Sequence, residues 1–307
     1  MNRVGTILAV AWVAILLVGC SAARWPAADS ESLAAQIDVG IITVLPEEYH
    51  AVLRKLQNVR SVMEPDGRPN VYLWALGEIR SEGRQTPYRV VVAMAGGSGE
   101  VSGALATKET IDRWRPRDVL LVGIAGGIHD AVDLGDVVIS TQIWAYEHGH
   151  LGSRYDSGGL FVYQADSALV DAAVALASDW RRRIEVTAPD QDLLPEVVVG
   201  KTASGNKVIE NSSSAYFGES LRSNTSIVSV DMEGAGAGAA VESDRDMGGV
   251  TGFLMIRGIS DLVEKGEEKS GDGGDQGRNP QRDVWKKYAA DVAASFAAAL
   301  IETNWPD

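Results

Sequence analysis

The chain has 307 residues, of which 45% are hydrophobic and 23% are charged, proportions typical of a folded protein with a buried core. Its formal net charge of −14 argues against a nucleic-acid partner, because phosphate groups would repel so acidic a protein. The single cysteine, Cys20, excludes an intramolecular disulfide and a cysteine-based zinc site.

The N-terminal segment has the features of an export signal. Arg3 precedes an apolar run over residues 7–18, which is shorter than the roughly 20 residues of a membrane-spanning helix. The run ends in LVGC, which resembles the bacterial lipobox, where the cysteine carries the lipid. We therefore predict a signal peptide over residues 1–19, lipidation of Cys20, a tether over residues 20–37 and an extracytoplasmic, membrane-attached protein. An uncleaved anchor with an incidental cysteine is the alternative.

From residue 38 onward, short apolar runs alternate with amphipathic segments, which favours a mixed or parallel sheet with helices on both faces. The predicted strands are Val39–Leu45, Arg89–Ala95, Val119–Ile124, Asp136–Ile143, Val197–Thr202, Ile227–Val230 and Gly252–Arg257. The predicted helices are Glu47–Leu56, Val101–Trp114, Ser167–Arg183, Glu233–Ser243 and Asp283–Glu302. We expect one domain over residues 38–307, in which the polar, glycine-rich segment 264–281 is a disordered loop or a mobile lid.

Acidic residues follow three of the predicted strands. Glu47 and Glu48 come after the first strand, Asp231 and Glu233 after the sixth, and Asp261 after the last. Because open α/β sheets bind ligands beyond the carboxyl ends of their strands, these acids are candidates for general acid and base chemistry. Acids that only stabilise the N-termini of helices are the alternative.

Two glycine clusters, at residues 96–99 and 123–127, predict either tight turns or backbone that approaches a ligand closely. His148 and His150 are a poor zinc signature, because two histidines with one spacer lack further ligands nearby in the sequence. The sequence therefore predicts no metal site.

Five segments in order, VGIITVLPEEYHAV, GGSGEVSGALAT, LLVGIAGGIHDAVDLGDVVIS, TASGNKVI with SVDMEGAG, and IRGISD, carry a resemblance that covers residues 38–301. The chain resembles the purine nucleoside phosphorylase and nucleosidase superfamily, and it is most similar to the methylthioadenosine/S-adenosylhomocysteine nucleosidases. The resemblance implies a single α/β domain with a central mixed, partly barrel-like sheet flanked by helices.

The resemblance also implies roles for individual residues. Glu48 matches the acid that activates the attacking water, and Asp261 matches the acid that protonates purine N7, oriented by Ser260. Glu233 matches the carboxylate that binds the ribose hydroxyls, and Met232 the residue that packs on the sugar. The other implied substrate-binding positions are Asp231, Val208, Ile209, Asn206, Gly97 and Ile124.

The implied activity is hydrolysis of the N-glycosidic bond of a purine nucleoside, with adenine as the expected base, as in methylthioadenosine or S-adenosylhomocysteine. The family implies no cofactor and a homodimer or higher homo-oligomer. Because the arginine and serine that hold phosphate in phosphorylases are missing from LLVGIAGGI, water is the expected nucleophile. A phosphorylase that uses another arginine, such as Arg89 or Arg257, is one alternative, and a non-catalytic nucleoside-binding lipoprotein is the other.

Overall fold

The computed structural model describes residues 36–62, 72–128, 130–148, 150–151, 155–156, 161–209, 226–263 and 279–306. The predicted signal peptide, Cys20, the tether up to residue 35 and residues 264–278 of the predicted loop lie outside these ranges. Within them, no helix combines the length and the apolar character needed to cross a membrane.

The first half of the domain begins with a parallel-strand unit. Its elements in chain order are β1 (Val39–Thr43), α1 (Pro46–Arg54), β2 (Gln57–Ser61), β3 (Leu73–Ile79), β4 (Tyr88–Met94), α2 (Glu100–Trp114) and β5 (Asp118–Ile128). All five residues of β1 are buried, because β1 pairs in parallel with β4 on one side and β5 on the other. A central strand that is buried on both faces is what the uninterrupted apolar sequence of β1 predicts.

Within the described residues, the second half supplies the remaining strands and three α-helices. Its elements are β6 (Val137–Ala145), β7 (His150–Leu151), β8 (Tyr155–Asp156), β9 (Phe161–Gln164), α3 (Ser167–Ala175), β10 (Val197–Ser204), β11 (Ile227–Asp231), α4 (Gly234–Asp246), β12 (Gly252–Val263) and α5 (Pro280–Thr303). A 3₁₀ helix over Ser178–Arg183 follows α3. Strands β7 and β8 form a separate two-stranded ribbon.

Within the described residues, ten strands form one mixed sheet in the order β11-β10-β6-β12-β5-β1-β4-β3-β2, with β9 paired to β6. Strand β11 also pairs antiparallel with β5. The strands β5, β11, β10, β6 and β12 therefore close into a five-stranded barrel, and β1 to β4 extend the sheet from it. The predicted fold class, a single α/β domain with a partly barrel-like sheet, is confirmed.

Helices cover the two faces of this sheet and complete the core. The alanine-rich α5 packs along β12 and β5 and is buried over most of its length, from Tyr288 to Ile301. Its small side chains let the helix lie close to the strands: at Gly258 an added Cβ would come within 2.0 Å of the Ala289 carbonyl oxygen. Helices α2 and α4 pack against each other on the other side.

Three predicted boundaries are wrong. The strand predicted to end at Ile124 continues to Ile128, so the glycines at 123–127 lie within β5, paired with β12 and β11, and the tight-turn alternative is excluded. The last strand does not end before Asp261, because β12 keeps its pairing with β5 as far as Val263, with a bulge between Ile259 and Asp261. The expected loop ends earlier than residue 281, because Asn279 caps α5 and Pro280 begins it.

The predicted helix over residues 167–183 is two shorter helices. Leu176 is extended, with φ −63° and ψ 125°, and ends α3. The chain then turns so that Trp180 is buried edge-on against Phe296 of α5, with the ring centroids 5.3 Å apart. Burial of this tryptophan against a distant helix overrides the local helical pattern.

Candidate active site

A cleft that is partly open to solvent lies where β1, β11 and β12 deliver their acidic residues. Its lining comes from residues far apart in the sequence, which the sheet order brings together. The lining residues are Val44, Leu45, Glu48, Ser98, Ile124, Ala125, Gly126, Lys207, Val208, Ile209, Val230, Asp231, Met232, Glu233, Ser260, Asp261 and Arg282.

Glu48 is fixed by three backbone N–H groups. Its Oε2 accepts from the N–H groups of Val44 (2.8 Å) and Leu45 (2.9 Å), and its Oε1 accepts from the N–H of Ile124 (2.8 Å). The first two bonds arise because Glu48 is the third residue of α1, from which a carboxylate reaches back to the start of the helix. The third ties the same carboxylate to β5. Glu48 is thus 2% exposed and held in one orientation at the floor of the cleft.

Gly123 makes room for this arrangement. A Cβ at this position would lie 2.4 Å from Glu48 Oε1 and 2.5 Å from Arg257 Nη1, closer than non-bonded atoms approach. The missing side chain therefore lets a carboxylate and a guanidinium share the space beside β5.

Arg257 is a fully buried cation at the centre of the carboxylates. Its Nη2 donates to Asp231 Oδ2 at 2.5 Å and lies 3.3 Å from Glu233 Oε2. Burial alone would lower the pKa of Arg257, but the charges of Asp231, Glu233 and Glu48 outweigh it and raise the pKa. Its Nε and Nη1 have no hydrogen-bond partner among the described residues, so the guanidinium keeps unused donors there.

Asp231 also organises the start of α4. Its Oδ2 accepts from the N–H groups of Gly234 (2.8 Å) and Glu233 (3.3 Å). Asp231 therefore does stabilise the N-terminus of a helix, which was the alternative interpretation of the acids that follow the strands. The same carboxylate pairs with Arg257, so Asp231 holds the buried cation as well as the helix.

Glu233 is the acid with the most perturbed proton affinity. Burial raises its pKa to about 7, against the opposing effect of Arg257 and with a further upward contribution from Asp231. Its Oε1 accepts from the N–H of Gly99 at 3.0 Å. Near neutral pH this carboxyl group is therefore close to its titration midpoint.

The contact between Glu233 and Gly99 depends on a close approach of α2 to α4. A Cβ on Gly103 would lie 2.6 Å from the Glu233 carbonyl oxygen, and a Cβ on Gly236 would lie 1.8 Å from the Glu100 carbonyl oxygen. Glycine at both positions lets the two helix backbones touch, which brings the loop before α2 to the edge of the cleft.

Asp261 accepts hydrogen bonds on both carboxylate oxygens. Ser260 Oγ donates to Oδ1 at 2.6 Å, and Asn279 Nδ2 donates to Oδ2 at 2.9 Å. The bulge in β12 lies immediately before Asp261, where bulges commonly redirect a side chain. Asn279 in turn accepts from the N–H of Arg282 through Oδ1 (3.1 Å), so the first turn of α5 is joined to this acid.

Most of the predicted site residues meet in this cleft. Those that line it are Glu48, Asp261, Met232, Glu233, Asp231, Val208, Ile209, Ser260 and Ile124. Asn206 and Gly97 are not among the lining residues. Asn206 Oδ1 instead accepts from the N–H of Glu100 (3.0 Å) and so secures the start of α2 beside the cleft.

His148, one of the two histidines of the pair, makes an aromatic contact. The ring of His148 packs edge-on against Phe161, with centroids 4.4 Å apart. Across the described ranges, no three histidine, cysteine, aspartate or glutamate side chains converge as a metal site would require.

Sequence reasoning missed Asn279, Arg282 and Lys207, and it left Arg257 only as an alternative phosphate ligand. The Asn-Pro pair at 279–280 is a signal that could have placed the start of α5 at the site. Arg257 gave no comparable signal, because one arginine inside an apolar strand does not show which acids surround it.

A small barrel within a larger mixed sheet, with carboxyl groups gathered beside it, is the architecture of the nucleoside phosphorylase and nucleosidase class of enzymes. Residues 38–302 match the phosphorylase superfamily in sequence, and the chain belongs to that superfamily.

Individual relatives agree with this assignment. The chain is 30% identical over 187 residues to a 5′-methylthioadenosine/S-adenosylhomocysteine nucleosidase of Bacillus licheniformis, covering 59% of this chain and 72% of the relative. A nucleosidase of the same name from Desulfotalea psychrophila is 26% identical over 238 residues, which are 76% of this chain and 87% of the relative. In fold, the chain resembles the nucleosidase of Colwellia psychrerythraea solved with adenine, with TM-score 0.64, 20% identity and coverage of 87% and 95%.

Proposed function

We propose that the chain hydrolyses the N-glycosidic bond of a purine nucleoside and releases the free base, with adenine as the preferred base. The observation that carries this proposal is the meeting of Glu48, Glu233 and Asp261 in one cleft, each held by hydrogen bonds from a different part of the fold. The names of the relatives, which are nucleosidases for adenine nucleosides, support the choice of base.

In this mechanism Glu48 is the general base. One water oxygen attacks C1′ of the sugar while the water proton passes to the Glu48 carboxylate. The unused Arg257 Nη1 donor lies close to Glu48 Oε1, since both would touch the same added Cβ on Gly123. Because Arg257 is fully buried and does not line the cleft, its positive charge lies behind the Glu48 carboxylate and does not contact the attacking water.

Asp261 is the general acid for the leaving base. As the bond from C1′ to purine N9 breaks, its electron pair moves into the base, and the proton on Asp261 passes to N7. Glu48 reaches the cleft from α1 and Asp261 reaches it from β12, so the proposed base and the proposed acid line one cleft from different elements.

Glu233 is the group that binds the ribose hydroxyls. Positive charge grows on the sugar ring as the glycosidic bond lengthens, so a carboxylate at the hydroxyls stabilises the transition state more than the substrate. Met232, which also lines the cleft, packs against the sugar.

The two arginines considered as alternative phosphate ligands, Arg257 and Arg89, do not line the cleft, so neither favours phosphate over water as the nucleophile. Arg257 is 0% exposed and already paired with Asp231 and Glu233. Arg89 begins the region of β4 that pairs with the start of β1, at the opposite end of these strands from the cleft. Neither supplies an accessible cation for a phosphate nucleophile.

The test is to incubate the full chain with methylthioadenosine, S-adenosylhomocysteine, adenosine and inosine, with and without phosphate, and to measure released base by chromatography. We expect free adenine without phosphate. Glu48→Gln and Asp261→Asn should each lower kcat by about 10²- to 10⁴-fold, the range typical of a lost general base or acid. Glu47→Gln is the matched control, because Glu47 neighbours Glu48 but pairs with Lys286 and does not line the cleft.

Three outcomes would contradict the proposal. Release of base only in the presence of phosphate would identify a phosphorylase. Full activity of Asp261→Asn would remove the proposed acid from the mechanism. Nucleoside binding in calorimetry, with no base released from any substrate, would favour a binding lipoprotein.

We also propose that Cys20 carries a lipid that anchors the domain outside the cytoplasm. The support is sequence alone: the chain's one cysteine directly follows a short apolar run. Expression of the full chain in a bacterium, with membrane fractionation, tests this proposal. Cys20→Ser should move the protein out of the membrane fraction or leave an unprocessed precursor, and an unchanged distribution and size would contradict it.

A homodimer or larger homo-oligomer is the assembly we propose. Val101 and Leu105 lie four residues apart on α2 and are 71% and 56% exposed. Together with Phe161, which is also exposed, Val101 borders a groove between α2, α4 and β9. Exposed apolar side chains grouped in this way are typical of surfaces that bind another protein.

A further inference from the structure

Charge in the cleft is arranged by depth. The four acids Glu48, Asp231, Glu233 and Asp261 are all buried, with exposures of 7% or less. Two cations line the same cleft nearer to solvent: Arg282 is half-buried, and the side chain of Lys207 is 54% exposed. The floor is therefore acidic and the mouth is basic.

The start of α5 spans the cleft and fixes where Arg282 lies. On one side, Asn279 Nδ2 donates to Asp261 Oδ2 (2.9 Å), and Gln281 Oε1 accepts from the N–H of Leu262 (2.7 Å). One to two turns further along, Lys286 Nζ is 3.3 Å from Glu47 Oε1. Along α5, Arg282 thus lies between the contact with the proposed acid and the contact with the helix that carries the proposed base.

Of the two cations at the mouth, Arg282 is the one available to a ligand. Lys207 forms an ion pair with Glu147. The Arg282 guanidinium makes no hydrogen bond or ion pair in the described part of the chain, and only its backbone N–H is bonded, to Asn279. A half-buried guanidinium that lines a cleft without a partner is suited to a planar, charged acceptor such as phosphate or carboxylate.

In the proposed mechanism, only the 5′ substituent of the nucleoside is not yet assigned a contact in the cleft, and it is the group that can reach Arg282. The base is held by Asp261, the 2′ and 3′ hydroxyls by Glu233, and C1′ faces Glu48, all at the floor. The 5′ substituent is the remaining group, and it extends towards the mouth.

We propose that Arg282 binds an anionic group at the 5′ end of the substrate, so that the cleft prefers purine nucleosides that carry a 5′ phosphate or carboxylate. This inference rests on the proposed function for the position of the sugar. It assigns Arg282 as a specificity-determining residue that takes no part in breaking the bond.

The experiment compares matched substrate pairs on the full chain. Adenosine against adenosine 5′-monophosphate tests phosphate, and methylthioadenosine against S-adenosylhomocysteine, whose 5′ substituent carries a carboxylate together with an ammonium group, tests carboxylate; the member of each pair that bears the phosphate or carboxylate is called the anionic member. Arg282→Met keeps the length and apolar stem of the side chain and removes its charge. The control Lys287→Met removes the same charge from an exposed position of the same helix that does not line the cleft.

We expect wild type to favour the anionic member of at least one pair in kcat/KM. Arg282→Met should lower kcat/KM for that member about 10- to 100-fold, the range for a charge-assisted hydrogen bond, with little change for its neutral counterpart. Lys287→Met should behave as wild type. The pair that responds identifies phosphate or carboxylate as the anion.

Equal losses on both members of each pair in Arg282→Met, or no wild-type preference, would overturn the inference. Calorimetric binding of the same four compounds gives a second readout that does not need turnover. If no compound is cleaved, the proposed function fails, while a loss of affinity in Arg282→Met confined to the anionic members still supports the assignment of Arg282. Equal affinities for both members of each pair would reject that assignment whatever the catalytic result.

Discussion

Glu48 serves the fold and the proposed chemistry with the same two oxygen atoms. Its hydrogen bonds join the end of β1, the start of α1 and the middle of β5. A substitution at this position therefore removes a buried link between three elements as well as the proposed base. The free energy of unfolding must be measured beside kcat before a loss of activity in Glu48→Gln is assigned to chemistry.

An ordinary ion-paired acid stabilises the fold more as pH rises. We expect Glu233 to have the opposite effect, so that its contribution to the free energy of unfolding falls as pH rises. Its pKa is about 7 in the fold, against 4.5 for an unperturbed glutamate. Between these values the folded state binds more protons than the unfolded state, so the contribution of Glu233 to the free energy of unfolding falls as pH rises from 4.5 to about 7. Chemical denaturation of wild type and Glu233→Gln across this window measures the effect.

The glutamine variant is the control for Glu233, because it has nearly the same shape and cannot titrate. We expect the difference in free energy of unfolding, wild type minus Glu233→Gln, to decrease between pH 4.5 and 7. Parallel pH profiles of the two proteins would show that Glu233 does not titrate in this range.

At the scale of residues, the sequence was informative where chemistry requires a particular side chain at a strand end. Glu48, Asp231 and Glu233 were predicted as candidates because acids follow apolar strands there. Arg257 and Asn279 were not assigned their contacts with these acids, because each partner lies on another element and the pairing exists only after the sheet forms. The kinetic tests described above measure the predicted catalytic roles directly.

The approach of α2 to α4 is the element-level feature on which Glu233 depends. In Gly236→Ala the new methyl group would lie 1.8 Å from the Glu100 carbonyl oxygen, so the helices must separate. Alanine favours a helix by about 1 kcal/mol over glycine, but overpacking typically costs 1–3 kcal/mol or more. Because the clash is with a backbone atom, we expect a cost at the upper end of this range and therefore a net loss of about 2 kcal/mol in the free energy of unfolding, measured by urea titration, together with a raised KM.

Gly96→Ala is the matched control for that variant. A Cβ at Gly96 meets nothing within 4 Å, and the residue lies in the same loop as Gly99, whose N–H reaches Glu233. This variant should keep wild-type stability and KM. Equal stability of Gly236→Ala and wild type would mean that the two helices are not in backbone contact in solution.

Predictions at the scale of elements succeeded where burial and local pattern agree. The apolar strands β1, β4, β5, β6, β11 and β12 were placed correctly in type, as was α1 after Pro46. Strand β2 was missed because it is mostly exposed, with the polar sequence QNVRS. The glycines of β5 predict a turn locally, but pairing with β12 and β11 holds them in a strand.

At the scale of the whole molecule, closure of the barrel could not be derived from local patterns. It depends on an antiparallel contact of β11 with β5, in which Ser229 and Val230 face Gly127 and Gly126. These residues are about a hundred positions apart in the chain, and nothing in either segment alone specifies the other. The resemblance to nucleosidases supplied this feature, and the structure confirms it.

The proposed assembly is tested on the exposed face of α2. Because Val101 and Leu105 project from the same side of the helix, Leu105→Glu places a charge within the proposed interface. We expect wild type to elute as a dimer or larger species in size-exclusion chromatography with light scattering, and Leu105→Glu to shift towards monomer. Val250→Glu is the control, because Val250 is 88% exposed and lies away from this groove. A monomeric wild type would refute the assembly.

The arrangement of charge by depth has a consequence for how the protein responds to salinity. Dissolved ions screen charges at the surface over about 8–10 Å at physiological ionic strength, but they screen buried pairs much less. The interactions among the buried acids and Arg257 at the floor would have nearly the same strength in dilute and concentrated salt. The affinity of Arg282 for an anion at the mouth would fall as the salt concentration rises. Rising ionic strength would then leave the cleavage of neutral nucleosides almost unchanged and erode the preference for anionic ones, so that the medium outside the domain sets its substrate range.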